Sequence, residues 1–195
     1  MSAERVVAVV LAGGASRRFG SDKLAAEVGG ASLLDVAVSA LPAEMPVIVV
    51  GPERPTARSV TFTREQPPGG GPAAGLVAGV RAALEVIPQI IVVVPGDAPA
   101  AGRGVLTMVA ALGDHQAAVG VDAAGQWQPL QLALRPAAAQ QLVELAGPDG
   151  AAGQSARRLL TRLDPPPQPV TLDPAALFDI DTPDALQTWL HRGNS

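Results

Sequence analysis

The stretch that decides the fold reads Arg5-Val-Val-Ala-Val-Val-Leu11, followed by Ala-Gly-Gly-Ala-Ser-Arg-Arg-Phe-Gly-Ser-Asp-Lys23. Its first part is an uninterrupted apolar run of strand length that is rich in β-branched residues. Such a run predicts a central strand of a parallel sheet that is covered by helices. Its second part is rich in glycine, which takes positive φ values and lets a ligand approach the main chain closely. Together the two parts predict a strand that leads into a ligand-binding turn.

The turn also carries three cationic side chains, Arg17, Arg18 and Lys23. Successive N–H groups of such a turn can form an anion-binding concavity, and open α/β sheets bind ligands at the carboxyl ends of their strands. The turn is therefore predicted to hold a polyphosphate; a glycine-rich turn with solvated charges is the alternative. Gly14 and Gly20 lie one residue too far apart for a P-loop, and the turn lacks the G-x-G-x-x-G spacing of dinucleotide-binding folds.

The composition bounds the class of protein. The chain has 195 residues, of which 48% are hydrophobic, a net charge of −4 and no cysteine. The length and the hydrophobic fraction suit an α/β domain with a substantial core and exclude a disordered chain. The negative net charge argues against a nucleic-acid surface. The absence of cysteine excludes disulfides and a cysteine nucleophile. The sequence shows no signal-peptide pattern and no apolar run of about 18 residues. We expect one domain over 1–195, a cytoplasmic location and no membrane or nucleic-acid partner.

The two halves of the chain have different predicted elements. In the first half, strands are predicted over 5–11, 45–50, 59–64 and 90–94, helices over 32–41, 72–87 and 105–112, and a short strand or turn over 24–28. This alternation predicts a Rossmann-like three-layer αβα sandwich with a mostly parallel central sheet. In the second half, strands over 117–122 and 128–134 predict an added hairpin. Helices are predicted over 137–146 and 155–163 and from Pro183 onward, and 164–169 is predicted to be extended rather than helical and short enough to be a loop within one domain.

Residues 11–23 resemble the signature loop of the MobA-like nucleotidyltransferases, the family related to molybdenum cofactor guanylyltransferase. The shared pattern, L-A-G-G-x-S-R-R-x-G-x-D-K, is long and has few degenerate positions. The resemblance covers nearly the whole chain and is weakest between 100 and 170. It implies that the nucleotide is bound by residues of this loop, namely Leu11, Ala12, Gly13, Gly14, Ser16, Arg17 and Lys23. It also implies catalytic roles for Arg18 and Lys23, which would offset the charge of a triphosphate.

A carboxylate, Asp97, directly follows a strongly apolar strand. It is predicted to lie at the carboxyl edge of the sheet near the glycine-rich turn, where it would repel a triphosphate unless a cation lay between them. Mg²⁺ suits that position, since it prefers oxygen ligands and is held by one or two carboxylates plus phosphates; a helix cap is the alternative. Pro95-Gly-Asp97-Ala-Pro99 resembles the family's magnesium site, although the family often has cysteine where this chain has Gly96. The resemblance implies that Asp97 is catalytic and binds Mg²⁺.

Asp179 and Asp181 form a second pair of carboxylates, and alternation along an extended segment places both on one side, with Ile180 on the other. The segment resembles one in related guanylyltransferases, which typically reads Asn-x-Asn-Thr-Pro where this chain has Asp-Ile-Asp-Thr-Pro. The two added charges could strengthen a metal site at Asp181, with Asp179 the weaker candidate. The alternative is that Asp181 or Thr182 caps the last helix.

Glu65-Gln-Pro-Pro-Gly-Gly-Gly-Pro-Ala-Ala-Gly-Leu76 resembles the family's base-recognition loop, and its Gly-Pro-x-Ala-Gly core is typical of the guanine-specific branch. Three glycines permit close backbone approach, and Pro72 begins a helix whose positive N-terminus would face the nucleotide. The resemblance implies nucleotide contacts from Glu65, Gly71, Pro72 and Gly75. A flexible loop before a helix is the alternative.

The second half of the chain is expected to hold the acceptor. Trp127-Gln-Pro-Leu-Gln131 resembles the segment beside the pterin substrate in related enzymes. Gly153-Gln-Ser-Ala-Arg157-Arg158 resembles a family helix, and either arginine could bind the acceptor's phosphate. A core position for Trp127 and a solvated helix face for the two arginines are the alternatives. No Ser-His-Asp arrangement is visible, so covalent hydrolase chemistry has no support.

These observations predict a Mg²⁺-dependent nucleotidyltransferase. The terminal phosphate of molybdopterin would attack the α-phosphorus of GTP, giving a guanine dinucleotide cofactor and pyrophosphate. The nucleotide would bind to residues 1–112 and the acceptor to residues 113–195. The first alternative is the same chemistry with CTP or another nucleotide, and with molybdopterin, a sugar phosphate or an isoprenoid phosphate as acceptor; the second is a non-catalytic nucleotide-binding protein. A monomer with transient contacts to cofactor-biosynthesis or molybdoenzyme proteins is expected.

Overall fold

The computed structural model describes residues 5–14, 19–20 and 22–192. The strands are β1 Val6–Leu11, β2 Glu27–Val28, β3 Ala31–Ser32, β4 Val47–Val50, β5 Thr61–Thr63, β6 Ile90–Pro95, β7 Ala117–Val121, β8 Trp127–Leu134 and β9 Gln168–Thr171. The helices are α1 Leu33–Ser39, α2 Pro72–Leu84, α3 Gly102–Leu112, α4 Pro136–Ala146, α5 Ala156–Leu160 and α6 Pro183–Arg192, and a short 3-10 helix spans Lys23–Ala25.

The central sheet is mostly parallel. Within the described ranges it contains seven strands in the order β5-β4-β1-β6-β8-β7-β9. β1 pairs in parallel with β4 and β6, β4 with β5, and β7 with β9. β8 pairs antiparallel with both β6 and β7, and β2 and β3 form a separate antiparallel hairpin. The predicted three-layer α/β fold with an added hairpin is confirmed.

Each face of the sheet is covered by an apolar core. In β1, Ala8 and Val10 belong to the core that also contains α1 and α3, whereas Val7 and Val9 belong to the core that contains α2 and α4. All four side chains are fully buried. Gly79 lets α2 approach the sheet closely, because a Cβ atom there would collide with Val9. The unbroken apolar run that opens the chain is therefore a strand buried on both faces.

The direction of the chain connections reverses at β1. The chain leaves β1 through α1 to β4 on one side, and it later returns through α2 to β6 on the other side. The carboxyl ends of β1 and β6 therefore flank the topological switch point, the place where open α/β sheets bind ligands. Because the glycine-rich turn follows β1 and Asp97 follows β6, the fold brings these two motifs to the same crevice.

The segment predicted to be an extended loop is in part a strand. The segment 164–169 contains the start of β9, which pairs in parallel with β7 at the edge of the sheet. Pro169 lies opposite Val119 in this pairing. Proline is tolerated on an edge strand, where one ladder hydrogen bond can be missing, so a proline-rich composition did not exclude a strand here.

Three predicted helix starts are marked by side-chain caps, whereas α3 begins three residues before its predicted start and two predicted helix ends are too late. Ser32, Ser155 and Thr182 accept hydrogen bonds from backbone N–H groups in the first turns of α1, α5 and α6. The helices predicted over 72–87 and 155–163 end at Leu84 and Leu160, each three residues early. A side-chain cap is a local signal, whereas a helix end depends on packing that the sequence does not display. No helix in the described ranges is long and apolar enough to cross a membrane.

Candidate active site

The carboxyl ends of three strands are tied together where the glycine-rich turn begins. The Gly96 N–H donates to the Leu11 carbonyl (2.9 Å), and the Ala12 N–H donates to the Val50 carbonyl (2.8 Å). Gly51 allows this close packing, because a Cβ atom there would lie 2.5 Å from the Ala12 carbonyl oxygen. The backbone of Leu11 and Ala12 is therefore held by β4 on one side and by β6 on the other.

The turn continues with Gly13 and Gly14, which are both exposed. Gly14 has a φ of 128°, a conformation that other residues rarely adopt. The direction of the chain after β1 therefore depends on this glycine. Ser16, Arg17 and Arg18 lie outside the described residues, so their predicted roles stay predictions.

Lys23 lies between two carboxylates. Its Nζ atom is 2.6 Å from Asp97 Oδ2 and 2.6 Å from Asp181 Oδ1. The Lys23 side chain is 14% exposed, compared with 25% for Asp97 and 50% for Asp181, so the group lies at an opening rather than in the core. Burial lowers the pKa of Lys23, but the hydrogen bonds to Asp181 and Asp97 outweigh burial and raise that pKa above its usual value. We call Lys23, Asp97 and Asp181 the charge cluster.

The segment that carries Asp181 is fixed to the end of β6 by its backbone. The Ile180 N–H donates to the Asp97 carbonyl (2.9 Å), and the Ile180 side chain is fully buried. Asp179 and Asp181 are exposed on the opposite side, as the predicted alternation requires. Thr182 caps the last helix through its hydroxyl group, which accepts the Ala185 N–H (3.1 Å). Asp181 therefore faces Lys23 rather than capping the helix.

Asp179 adds a further negative charge beside the charge cluster. Although the residue is exposed overall, the pKa of Asp179 is raised to about 6, chiefly by burial of its carboxyl group and also by the charges of Asp97 and Asp181, while Lys23 opposes the rise. Three carboxyl groups therefore lie around one ammonium group. An additional cation would relieve the excess negative charge.

The donor set fits a small divalent cation. One oxygen of Asp97 and one of Asp181 lie 2.6 Å from the same nitrogen, so a single cation in that region could contact both carboxylates. Mg²⁺ is commonly held by only one or two carboxylates together with substrate phosphates and water. In the part of the chain that the structure describes, no group of three His, Cys, Asp or Glu side chains is arranged to hold a metal. The remaining ligands would come from substrate and water.

Arg54 joins the two ends of the glycine-rich turn, and the sequence did not indicate it. Its Nε and Nη2 atoms each lie 2.9 Å from Asp22 Oδ2, and its Nη1 donates to the Ala12 carbonyl (3.4 Å). Asp22 Oδ1 accepts the Leu24 N–H (3.2 Å) and so caps the 3-10 helix that carries Lys23. The hydrogen bond from Arg54 holds the pKa of Asp22 below its usual value. Arg54 lies between β4 and β5, outside every motif, so no local signal could have identified it.

The conformation of the loop over 65–71 is stabilised by a hydrogen bond to the Glu65 side chain. This side chain is buried, and its Oε1 accepts the Gly69 N–H (2.9 Å). Gly71 takes a φ of 91° and caps α2, with Pro72 at the first position of the helix. The Gly75 N–H donates to the Gly71 carbonyl (3.0 Å) within this first turn. Gly71 and Pro72 are exposed at the carboxyl edge of the sheet. Glu65, which was predicted to contact the nucleotide, is buried and contacts the backbone of its own loop.

Two predicted acceptor motifs meet at the same edge of the sheet. Trp127 opens the antiparallel strand β8, so it lies level with the carboxyl end of β7. The Arg157 guanidinium carbon lies 5.9 Å from the centroid of the Trp127 ring, a cation–π distance. Trp127 is partly buried and Arg157 is exposed. The segment before α5 also contacts the 65–71 loop, since the Gly153 N–H donates to the Gly70 carbonyl (2.9 Å).

This arrangement defines a class of protein. Backbone groups of a glycine-rich turn, an ammonium group and two carboxylates converge at the switch point of an α/β sheet, where phosphorylated ligands bind. The chemistry these groups support is nucleotide-dependent group transfer, in which charge neutralisation dominates. The chain belongs to the MobA-like NTP transferase domain family, whose model matches residues 8–166, and it is a nucleotidyltransferase. No curated protein sequence matches the chain significantly.

Solved structures share the fold over nearly the whole chain. Molybdopterin-guanine dinucleotide biosynthesis protein A from Archaeoglobus fulgidus is 22% identical, with a TM-score of 0.70 and coverage of 96% of this chain and 98% of that one. The 2-C-methyl-D-erythritol 4-phosphate cytidylyltransferase from Thermus thermophilus is 20% identical, with a TM-score of 0.70 and coverage of 97% and 99%. A manganese complex of Rv0371c from Mycobacterium tuberculosis is 17% identical, with a TM-score of 0.61 and coverage of 96% and 98%. At these identities the likeness establishes the fold alone.

Proposed function

We propose that this protein is a Mg²⁺-dependent guanylyltransferase that joins GMP from GTP to molybdopterin. The observation that carries the proposal is the charge cluster, which brings Lys23 and Asp97 together at the switch point beside the glycine-rich turn. Membership of the family supports the reaction class. The likeness to the Archaeoglobus fulgidus protein supports guanine as the base and molybdopterin as the acceptor, and the manganese complex of the mycobacterial neighbour supports a divalent metal.

The reaction is a single displacement at phosphorus. A terminal phosphate oxygen of the acceptor attacks the α-phosphorus of GTP and forms a new P–O bond. The bond from the α-phosphorus to the oxygen that bridges to the β-phosphorus breaks, and its electron pair leaves with pyrophosphate. Because the protein forms no covalent intermediate, its contribution is positioning and charge neutralisation.

The residues of this chain would divide that work. The backbone of residues 11–14 would receive the phosphates in an anion-binding turn, and Lys23 would offset their negative charge. Asp97 and Asp181 would hold Mg²⁺, which when bound supplies charge stabilisation at the reacting phosphate and orients it. Arg18 is proposed to assist Lys23.

The choice of base is proposed to lie with the 65–76 loop. Gly71 and Pro72 are exposed at the start of α2, and backbone groups there could read the edge of a base without dedicated side chains. CTP is the second candidate nucleotide, because the Thermus thermophilus cytidylyltransferase shares the fold with the same TM-score of 0.70.

The acceptor is proposed to bind against residues 113–195, opposite the nucleotide half over 1–112. Trp127 offers an aromatic face on which a flat ring could stack, and Arg157 offers a cation beside it for a phosphate group. The monomeric state and the cytoplasmic location that we expect from the sequence stay predictions.

A thermal-unfolding series with each of GTP, CTP, ATP, UTP and dTTP, with and without Mg²⁺, tests the nucleotide. A ligand present at about 100 times its Kd stabilises the folded state by about 2.7 kcal/mol, a shift of about 5–10 °C for a chain of this size. We expect GTP, and none of the other four nucleotides, to raise the unfolding temperature, and we expect this rise to require Mg²⁺. A shift led by CTP would keep the reaction class and replace the substrate, and no shift with any nucleotide would contradict the proposal.

A matched pair of variants tests whether the Mg²⁺-dependent effect of GTP on unfolding arises at the charge cluster. Asp97→Asn keeps the shape of the side chain and removes the negative charge of one of the two proposed ligands of the metal. Asp114→Asn makes the same change at an exposed position that precedes β7, at the opposite edge of the sheet. The Mg²⁺-dependent part of the GTP shift should disappear in the first variant and persist in the second. Turnover with molybdopterin, measured as pyrophosphate release, then tests the acceptor.

A further inference from the structure

Lys23 is the only lysine among the 14 Lys and Arg residues of the chain. The two cations differ physically, because an ammonium group is a compact point charge on a flexible stem, whereas a guanidinium group is a planar fork that needs matched geometry. A lysine can therefore exchange one set of oxygen partners for another at little geometric cost. The chain uses this side chain at one position, in the charge cluster.

The position of Lys23 conflicts with that of the proposed metal. The ammonium group already lies 2.6 Å from one oxygen of Asp97 and 2.6 Å from one oxygen of Asp181. These two carboxylates are also the proposed ligands of Mg²⁺. A divalent cation in the position of the ammonium group would meet a positive charge at close range, so the metal can use the same two carboxylate oxygens only after the ammonium group has moved.

We infer that Lys23 is an internal counter-ion that keeps the metal site closed until a triphosphate gives its ammonium group new anionic partners. The position of Lys23 in the sequence favours this exchange, since the residue stands at the end of the glycine-rich stretch that would hold the phosphates. Once the ammonium group contacts phosphate oxygens, Asp97 and Asp181 can contact the metal. Metal and nucleotide then bind with positive cooperativity, and by thermodynamic linkage each raises the affinity for the other by the same factor. The inference rests on the proposed metal-dependent reaction and adds an order of loading to it.

Binding of Mn²⁺ alone, measured by electron paramagnetic resonance in the absence of nucleotide, is the first test. Lys23→Met removes the positive charge and keeps a side chain of similar length. We expect this variant to bind Mn²⁺ at least about tenfold more tightly than the wild type, because the metal no longer competes with an ammonium group between the same carboxylates. Arg103→Met removes an equal charge at an exposed position in the first turn of α3 and should leave the affinity within about twofold of wild type.

A double variant identifies the metal site. Lys23→Met with Asp97→Asn should lose the gain in Mn²⁺ affinity, which shows that the added affinity comes from the charge cluster. Equal Mn²⁺ affinity of the wild type and Lys23→Met would overturn the inference. So would a gain that survives the Asp97→Asn change, since the metal would then lie elsewhere.

In the wild-type protein, the proposed change of partners by the Lys23 ammonium group can be followed directly by NMR. Because Lys23 is the only lysine, protein labelled with ¹⁵N-lysine has one side-chain ammonium signal. We expect this signal to keep its chemical shift when Mg²⁺ is added alone and to move when Mg²⁺ is added with inorganic tripolyphosphate. A shift of the same size with Mg²⁺ alone would overturn the inference. A purely structural lysine would show no change in either titration, which also contradicts it.

The two proposals fail in different ways. If wild-type protein binds Mg²⁺ equally well with and without tripolyphosphate, while GTP still binds in a Mg²⁺-dependent manner, the order of loading is wrong and the proposed function stands. If neither GTP nor CTP binding depends on a divalent metal, the proposed function is wrong, and the inference fails with it.

Discussion

The proposed nucleotide side and the proposed acceptor side of the crevice are built differently. On the nucleotide side, Lys23 pairs with the carboxylates of Asp97 and Asp181 at 14% side-chain exposure, and Arg54, at 16% exposure, joins Asp22 to the backbone before the turn. These contacts link segments that are far apart in the chain. On the acceptor side, the described contact between the two predicted motifs is a cation–π contact that involves an exposed arginine.

This difference teaches where rigidity is needed. Charge neutralisation at a reacting phosphate is effective only when the charged groups are held in place before the reaction. Recognition of an acceptor tolerates a looser surface, since alternative side chains can contact a ring or a phosphate. The family resemblance follows the same division, because it is strong over residues 11–23 and weak between 100 and 170. Substitutions on the two sides should therefore differ in size and in the kinetic constant that they change.

The largest effect is expected from Asp97→Ala. Loss of one of two proposed metal ligands should lower the rate of nucleotidyl transfer on the order of 10³-fold, as for removal of other preorganised electrostatic groups. The variant should remain folded, because Asp97 is partly exposed and makes its ion pair at the rim of the crevice. Pyrophosphate release at saturating GTP measures the rate, and Asp114→Ala is the control. Near wild-type turnover in Asp97→Ala would remove Asp97 from the site.

Lys23→Ala should reduce the transfer rate on the order of 10²-fold, a smaller loss because other cations of the turn would remain beside the phosphates. Lys23→Arg keeps the charge but replaces a point charge by a planar fork, and it should recover only part of the lost rate. Single-turnover kinetics separate this effect from substrate binding. Full activity of Lys23→Ala would show that the ammonium group has no part in catalysis.

Arg54→Lys should have an intermediate effect and probe the rigidity of the nucleotide side. A lysine cannot contact Asp22 with two nitrogens while it also donates to the Ala12 carbonyl. The ends of the glycine-rich turn should become less fixed, and KM for GTP should rise by about tenfold, in keeping with the sensitivity of rates to misplaced groups. Arg64→Lys, an exposed arginine after β5, is the control. An unchanged KM would mean that the turn is held without Arg54.

Arg157→Gln should have the smallest effect and appear in the constants for the acceptor. An exposed cation–π contact contributes about 0.5–1 kcal/mol, which corresponds to a change of about two- to fivefold. We expect KM for molybdopterin to rise by that factor while KM for GTP stays constant. Arg158→Gln, on the next residue of the same helix, should change neither constant. A rise in KM for GTP would place Arg157 on the nucleotide side and contradict the proposed separation of the two sides.

Elements with strong local signals were predictable from the sequence. The buried strand β1 follows from its β-branched run, and the starts of α1, α5 and α6 follow from Ser32, Ser155 and Thr182, whose side chains cap the first turns. The strand β9 was not predictable in this way, because its sequence is rich in proline and its pairing with β7 is set by the sheet. Its existence depends on a neighbour 50 positions earlier, as in the pairing of Ala118 with Gln168.

The site was predictable in its motifs and not in its contacts. Lys23, Asp97 and Asp181 each stood out, but their meeting around one nitrogen depends on the switch point of the sheet and on the hydrogen bond from Ile180 to Asp97. Arg54 gave no signal, since an arginine in a connecting loop resembles any solvated charge. The structure also places Glu65 beneath its loop rather than on the surface, because its carboxylate accepts a backbone N–H there.

The long separation in sequence between Lys23 and Asp181 has a consequence for synthesis of the chain. Lys23 and Asp181 are separated by 158 positions, and ribosomes add about 5–20 residues per second. Roughly 8–30 s therefore pass between the synthesis of the two partners. During that interval a nascent chain already contains the glycine-rich turn, yet it lacks the carboxylate that completes the pair around Lys23. The charge cluster is thus completed only after Asp181 has been made, and chains that end before Asp181 should not show the proposed Mg²⁺-dependent binding of nucleotide.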